Sequence, residues 1–383
     1  MQNKFNFTGN IYIPKPDAKN PFVATKEIEF TRDGKKHKMN LTTLNLGIKE
    51  SETNMAFVEM NDSPKSTIQT MDTENTKIEV DWEDRLDPDI LKTIANYKKF
   101  VVNLGEDFGG RHEFMTQYDM IEFLRDNLPN YDGKVLASGS YTRSCYKGKY
   151  YDKFRLEKIY AVDEGRKNRL SLTLDFFYNK DCIDKSDFKT DKKIYLDGYI
   201  SQYINKNEGS KYLPMQLVFN TSKFDLENEK HKKIFDYMMS YVDISNKKVC
   251  HLAWEAMLMR GAETVDFSYD MLTDAQKMQV DLGIKELDDF KPRGSILGEK
   301  VNEFRVYNPV LLDMGKGDDF SNGIIELDMK FSELEEDIYV PNAVEEKLEE
   351  AVKKTEKKAE KKATKVDDDV PDEEQDDEKF DLF

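Results

Sequence analysis

The stretch that decides the fold runs from Lys134 to Tyr178: KVLASGSYTRSCY (134–146), YYDKFRLEKIYAV (150–162) and LSLTLDFFY (170–178). In the last of these, Leu170, Leu172, Leu174, Phe176 and Tyr178 alternate with Ser171, Thr173 and Asp175. Successive side chains of a strand point to opposite sides, so this spacing predicts a strand with one buried face. The two preceding runs predict strands joined by a hairpin at Lys147-Gly148-Lys149. Two further strand-like runs follow, KIYLDGYISQY (193–203) and YLPMQLVFN (212–220).

Five strands between 134 and 220 match the strand count of an oligonucleotide/oligosaccharide-binding (OB) barrel. A helix is predicted just before them in TQYDMIEFLRDNL (116–128), where Met120, Ile121, Phe123, Leu124 and Leu128 fall near helical spacing. Only residues 179–192 separate the third strand from the fourth, where an OB fold usually has a helix. Toward the N-terminus, FNFTGNIYIP, EIEFT, KKHKMNLTTLNLGI, NMAFVEM, KIEVDW and KKFVVNL predict an earlier β region. Asp33-Gly34 marks a hairpin within it, and Asp87-Pro88 marks a helix start. The Gly-rich LGEDFGGRHEF (104–114) predicts a linker. Toward the C-terminus, LENEKHKKIFDYMMSYV and ISNKKVCHLAWEAMLMR predict helices. The expected fold is mainly β with added helices (α+β). OB-like β domains are expected at 1–105 and 106–222, followed by a helical or mixed region at 223–342.

Beyond Pro341 the sequence collapses into Ala/Glu/Lys repetition and then carboxylates, a composition that cannot bury a core. Residues 343–365 are expected to form a semi-rigid spacer, and residues 366–383 a disordered tail. The 383-residue chain carries a net charge of −17, with 35% charged residues against about 25% in ordinary globular chains. With −9 on the tail and +2 on the spacer, −10 remains on residues 1–342. A nucleic-acid surface must therefore be a local patch. No run approaches the roughly 18 apolar residues of a membrane helix, and the start lacks an apolar signal stretch, so a soluble cytoplasmic protein is expected. Cys145, Cys182 and Cys250 form no CxxC and fit reduced structural thiols.

Motifs for catalysis are missing: there is no GxxxxGK[ST], GxSxG, HExxH or GxGxxG. His37, His112, His231 and His251 supply a histidine-based site sparsely. The carboxylates Asp81, Glu83, Asp84, Asp87 and Asp89 suit a divalent cation, but at a strand-to-helix turn they suit capping and solvation better. No catalytic residue, metal or cofactor is expected.

Tyr141–Arg155 is the most informative segment, with two Arg and three Lys against one Asp, interleaved with four Tyr and one Phe. Alternation puts Tyr151, Lys153 and Arg155 on one face and Phe154 and Leu156 on the other. Cations neutralise phosphates and rings stack on bases, so Arg143, Tyr146, Lys147, Lys149, Tyr150, Tyr151, Lys153 and Arg155 are candidate contacts to a nucleic-acid strand. The same residues also suit an ordinary hairpin with packed tyrosines and solvated lysines. A weaker copy, Arg32, Lys35, Lys36 and Lys38, flanks the Asp33-Gly34 turn. Tyr195 and Tyr199 could extend the stacking platform.

The chain closes in DDEKFDLF, with Asp376, Asp377, Glu378 and Asp381 around Phe380, Leu382 and Phe383. This end resembles the C-terminal tip of bacterial and bacteriophage single-stranded DNA-binding proteins, and the chain's size and two β regions resemble a phage-encoded version. The resemblance implies an OB fold and sequence-tolerant binding of single-stranded DNA in replication, recombination and repair. It also implies that residues 376–378 and 380–383 recruit replication or recombination proteins, the last ring filling an apolar pocket. No membrane partner is expected. Two alternatives remain. One is a protein-binding scaffold or regulator whose tail mimics nucleic acid. The other is a nuclease or polymerase accessory enzyme using the carboxylates at 81–89.

Overall fold

The structure is a computed structural model that describes residues 3–32, 35–146, 148–205, 208–244, 248–265, 267–292, 296–310, 325–327 and 329–336. It opens with strands β1 (Lys4–Tyr12), β2 (Val23–Arg32), β3 (Lys35–Lys49), β4 (Met55–Asp62), β5 (Thr67–Met71) and β6 (Lys77–Asp81). Helix α1 (Pro88–Thr93), strands β7 (Phe100–Asn103) and β8 (Arg111–Phe114) and helix α2 (Gln117–Asn127) follow. The middle holds β9 (Lys134–Tyr146), β10 (Lys149–Ala161), β11 (Arg169–Tyr178), β12 (Ile183–Asp184), β13 (Lys193–Asn205) and β14 (Gly209–Asn220). Last come α3 (Glu229–Val242), β15 (Val249–Val265), α4 (Asp274–Asp281), β16 (Ile296–Val310), β17 (Ile325–Leu327) and α5 (Phe331–Glu336).

The protein is mostly β. Among the described residues fifteen strands share one hydrogen-bonded sheet, and β5 and β6 form a separate pair. Within the large sheet the pairings close on themselves twice. β1 pairs with β3, β3 with β4, β4 with β10 in parallel, β10 with β9, and β9 returns to β1. β11 pairs with β13, β13 with β14, β14 with β16 in parallel, β16 with β15, and β15 returns to β11. β1 and β11 run antiparallel from Lys4↔Thr173 to Thr8↔Arg169 and join the two rings. Strands from 1–105, 106–222 and 223–342 are thus neighbours in one sheet.

This closure redraws two expectations. The five strands of 134–220 do not close on one another: β9 and β10 complete the first ring, while β11, β13 and β14 begin the second. In each ring a helix lies between the third and fourth strands, α2 in the first and α3 in the second, so the short link at 179–192 is not where a helix belongs. The expected helix across 244–260 is instead, from Val249 on, strand β15, with Leu252, Ala253, Trp254, Ala256 and Leu258 buried between β11 and β16. A strand buried on both faces loses its period-two signature and cannot be told from a buried helix by periodicity.

Other local expectations match. Arg32 pairs with Lys35 at the end of the β2–β3 ladder, and Asp87 caps α1 with Pro88 in its first turn. The Gly-rich 104–114 segment, expected as a linker, instead turns the chain from β7 into its antiparallel partner β8 through positive φ at Gly105, Gly109 and Gly110. Thr116 caps α2, which buries Met120, Ile121 and Leu124. Asn228 caps α3, and Tyr178 donates its hydroxyl to the Tyr241 carbonyl at 2.6 Å. Phe5, Phe7 and Phe154 pack ring against ring in the first ring's core, and Tyr141 bridges Phe154 to Phe304 of the second. No described helix is long and apolar enough to cross a membrane. The spacer at 343–365 and the tail at 366–383 lie outside the described residues.

The hairpin tip Cys145–Tyr150 belongs to a different compact unit from residues 3–144 and 151–336.

Candidate nucleic-acid interface

Along β10 the alternation expected from sequence holds: Tyr151, Lys153 and Arg155 are exposed, while Phe154 and Leu156 are buried. The reason is the aromatic core beneath, where Phe154 meets Phe7 at 4.9 Å between ring centroids. Once Phe154 is anchored there, period two turns its odd-numbered neighbours outward. Tyr151 is 47% exposed, so about half of its surface is open to solvent.

Asp152 lies on the inward side and gathers partners. It accepts from the Tyr141 hydroxyl at 2.6 Å and from Arg260 at 3.1 Å, and Arg143 approaches it at 3.7 Å. Burial first, then the Asp152 charge, pushes the Tyr141 hydroxyl well above its ordinary pKa. Arg143 is therefore part of a half-buried ionic network and not an open cation. Its backbone N–H also donates to Gln202 at 2.7 Å.

Strand pairing adds residues that the sequence reading did not single out. Tyr12 lies opposite Gly47 across β1–β3, and Gly47 lies opposite Phe57 across β3–β4. With no side chain at Gly47, the two rings meet edge to face at 6.1 Å. A Cβ there would sit 2.8 Å from the Met55 sulfur and 3.0 Å from Tyr12 Cβ. Tyr12 and Phe57 remain 37% and 44% exposed, and the Lys49 ammonium lies 5.4 Å from the Tyr12 ring centroid. The parallel β4–β10 junction sets Glu59 beside Arg155. Two residues back along each strand on that face stand Phe57 and Lys153, so the Tyr12–Phe57 pair on β1 and β4 is followed by a cation on β10. One signal for this was present in the sequence: Ala56, Val58 and Met60 alternate inward, which leaves Phe57 as an aromatic residue on the polar side.

The other expected contacts are scattered. In the hairpin tip by itself, Gly148 turns the chain at φ 72°, with Lys149 exposed and Tyr150 half-buried. Lys147 lies outside the described residues, and Tyr146 is described only as backbone of β9. In the β2–β3 hairpin Lys36 is exposed, but Lys38 is neutralised across the ladder by Glu27 at 2.7 Å and Glu29 at 3.6 Å. Arg32 and Lys35 are placed in their strands as backbone only. Tyr195 is half-buried in β13 of the second ring.

Tyr199 is a correction. It is 8% exposed and packs with Phe177, Val249 and Leu334, its ring 5.3 Å from Phe331. The α5 segment covers this part of β13, so both faces of the strand are buried and Tyr199 offers no ring to a base.

Of the carboxylates at 81–89, Asp87 caps α1 and Asp89 pairs with Lys92 at 2.8 Å. Among the described residues no group of three or more His, Cys, Asp or Glu is placed to hold a metal ion.

No family model and no curated protein matches the chain. Among solved structures it is similar to a deletion variant of the single-stranded DNA binding protein from Thermus aquaticus, at 10% identity and a TM-score of 0.25, over 67% of this chain and 87% of that one. A likeness this shallow carries no argument about the present chain.

Proposed function

We propose that this chain is a non-catalytic, sequence-tolerant single-stranded DNA-binding protein of phage type, acting in replication, recombination or repair. The observation that carries the reading is the exposed row on the first ring: Tyr151, Lys153 and Arg155 on β10 beside the Tyr12–Phe57 pair. Rings that stack on any base, set among cations that neutralise phosphates, suit a flexible strand whose bases are unpaired. The strand order supports it. Taken in chain order, each ring joins its strands 1-2-3-5-4-1 with one parallel junction and a helix after the third strand, which we read as an OB-like barrel. In such barrels the second and third strands and the loops after the first and fourth bind oligonucleotides. Those parts of the first ring include β3, β4 and the β2–β3 hairpin, which carry Gly47, Lys49 and Phe57.

The second ring lacks the equivalent charge. Phe304-Arg305-Val306 of β16 occupies the place of Phe154-Arg155-Leu156, but Glu303 accepts from Arg305 at 2.7 Å and from Lys193 at 2.6 Å. The first ring is therefore assigned the DNA, and the tail at 366–383 the recruitment of replication proteins. The test is an oligonucleotide shift assay across a salt series, with and without Mg²⁺. Salt-sensitive binding that favours single strands over duplex, without cleavage, is expected. Mg²⁺-dependent cleavage, or no binding at low salt, overturns the reading.

A further inference from the structure

A cavity of about 510 Å³ opens where the turn between β3 and β4 meets the second ring. It lies within the size range of small-ligand sites, and its lining does not include Tyr12, Phe57, Tyr151, Lys153 or Arg155. Lys167, Asn168 and Arg169, from the link into β11, form one side, and Lys223, Phe224 and Tyr307 contribute from the second ring.

The walls are held firmly. Buried Asn54 accepts from the Arg260 backbone N–H at 2.8 Å and donates to the Leu258 carbonyl at 3.0 Å, clamping the turn onto β15. Gly261, at φ 150°, permits the approach, since a Cβ there would fall 1.7 Å from the Thr53 carbonyl oxygen.

Three features point to one ligand chemistry. Lys167 and Arg169 are exposed, and among the described residues neither has a carboxylate partner. The Arg169 guanidinium is stacked over the Tyr307 ring at 4.9 Å, which orders its planar fork for an oxyanion. Phe224 and Tyr307 supply flat apolar surface. Asn168 donates through Nδ2 to the Glu50 carbonyl at 3.0 Å, which fixes the link between Lys167 and Arg169 against the turn.

We propose that this cavity binds a single nucleotide, its phosphate held by Lys167 and Arg169 and its base lying against the flat surface of Phe224 and Tyr307. The proposal stands apart from strand binding on the first ring. The nucleotide is either free or one residue of a bound strand.

The test is calorimetric titration of the full chain with dAMP, with inorganic phosphate and with deoxyadenosine. Saturable dAMP binding is expected, tighter than either half, and Lys167→Ala or Arg169→Ala should weaken it by about tenfold, the loss of one charge-assisted hydrogen bond. Both positions are exposed, so the variants keep their fold, and Tyr151→Ala should bind dAMP unchanged. Displacement of dAMP from the Tyr151→Ala chain by a short oligonucleotide assigns the site to a nucleotide of a strand, and no displacement assigns it to the free nucleotide. Absence of saturable dAMP binding, equal affinity for phosphate alone, or unaltered binding in both variants overturns the proposal.

Discussion

The carboxylate of Asp152 in β10 accepts a hydrogen bond from the guanidinium of Arg260 in β15 at 3.1 Å, so one ion pair ties the first ring to the second. Tyr141 shares that carboxylate at 2.6 Å, beneath the strand that presents Tyr151 and Lys153. Asp152→Ala would leave a fully buried hydroxyl and a half-buried guanidinium without their acceptor. A stability loss of about 2–4 kcal/mol is expected in urea unfolding. An unchanged midpoint and slope would show that the pair does not couple the rings.

Tyr151→Ala should weaken single-stranded DNA binding by about 1–3 kcal/mol, the worth of one stacked base. Lys153→Ala or Arg155→Ala should lower the slope of log affinity against log salt by about 0.7 for each phosphate no longer neutralised. Stacking and charge are thus separable in one titration series. Normal binding by folded Tyr151 and Arg155 variants would exclude this face.

Phe57→Ala removes a ring that is 44% exposed and lies opposite Gly47, so folding stability should change by less than about 1 kcal/mol. Oligonucleotide affinity should fall by about 1–3 kcal/mol if the Tyr12–Phe57 pair holds a base. Fluorescence titration and thermal melting of the same preparation check both halves, and a variant that melts early but binds normally would assign Phe57 to packing.

Asp175 makes a short hydrogen bond to His251, whose ring stacks on Phe177 at 4.4 Å. Burial is the largest influence and pushes the Asp175 carboxyl upward, but the lowering influences, led by the hydrogen bond to His251 and then its charge, together hold the pKa below the ordinary carboxylate value. A depressed folded pKa means that this group's contribution is present above the unfolded value of about 4 and is lost as pH falls through the folded pKa. Melting temperature should therefore drop on acidification below about pH 4, and Asp175→Asn should flatten that drop. A variant with the same acid profile as the unaltered chain would place the acid sensitivity elsewhere.

Deleting residues 366–383 removes a net −9 and should leave DNA affinity intact or raise it, because a tethered polyanion competes at high effective concentration. Phe383→Ala should spare DNA affinity and abolish capture of a replication protein, since one aromatic anchor can dominate a small interface. The paired measurement is DNA titration and pull-down on both variants. Weaker DNA binding after the deletion, or full capture by the Phe383 variant, would remove the docking role.

What the sequence by itself determined is local. Tyr151, Lys153 and Arg155 face outward because period two acts between residues two apart, and the caps Asp87 and Thr116 act within one helical turn. What only the tertiary structure decided is pairing over long separations. β9 and β10 close on β1, β3 and β4, and not on the strands that follow them. Tyr12 meets Phe57 only because each pairs opposite Gly47, and Lys38 meets Glu27 only across the ladder. Tyr199 alternates like a surface residue until α5 covers it, and β15 reads as a helix until β11 and β16 flank it. Strand register and coverage are set by which hydrogen-bonding edges and apolar faces remain to be satisfied after the chain has closed on itself, and no local spacing encodes that.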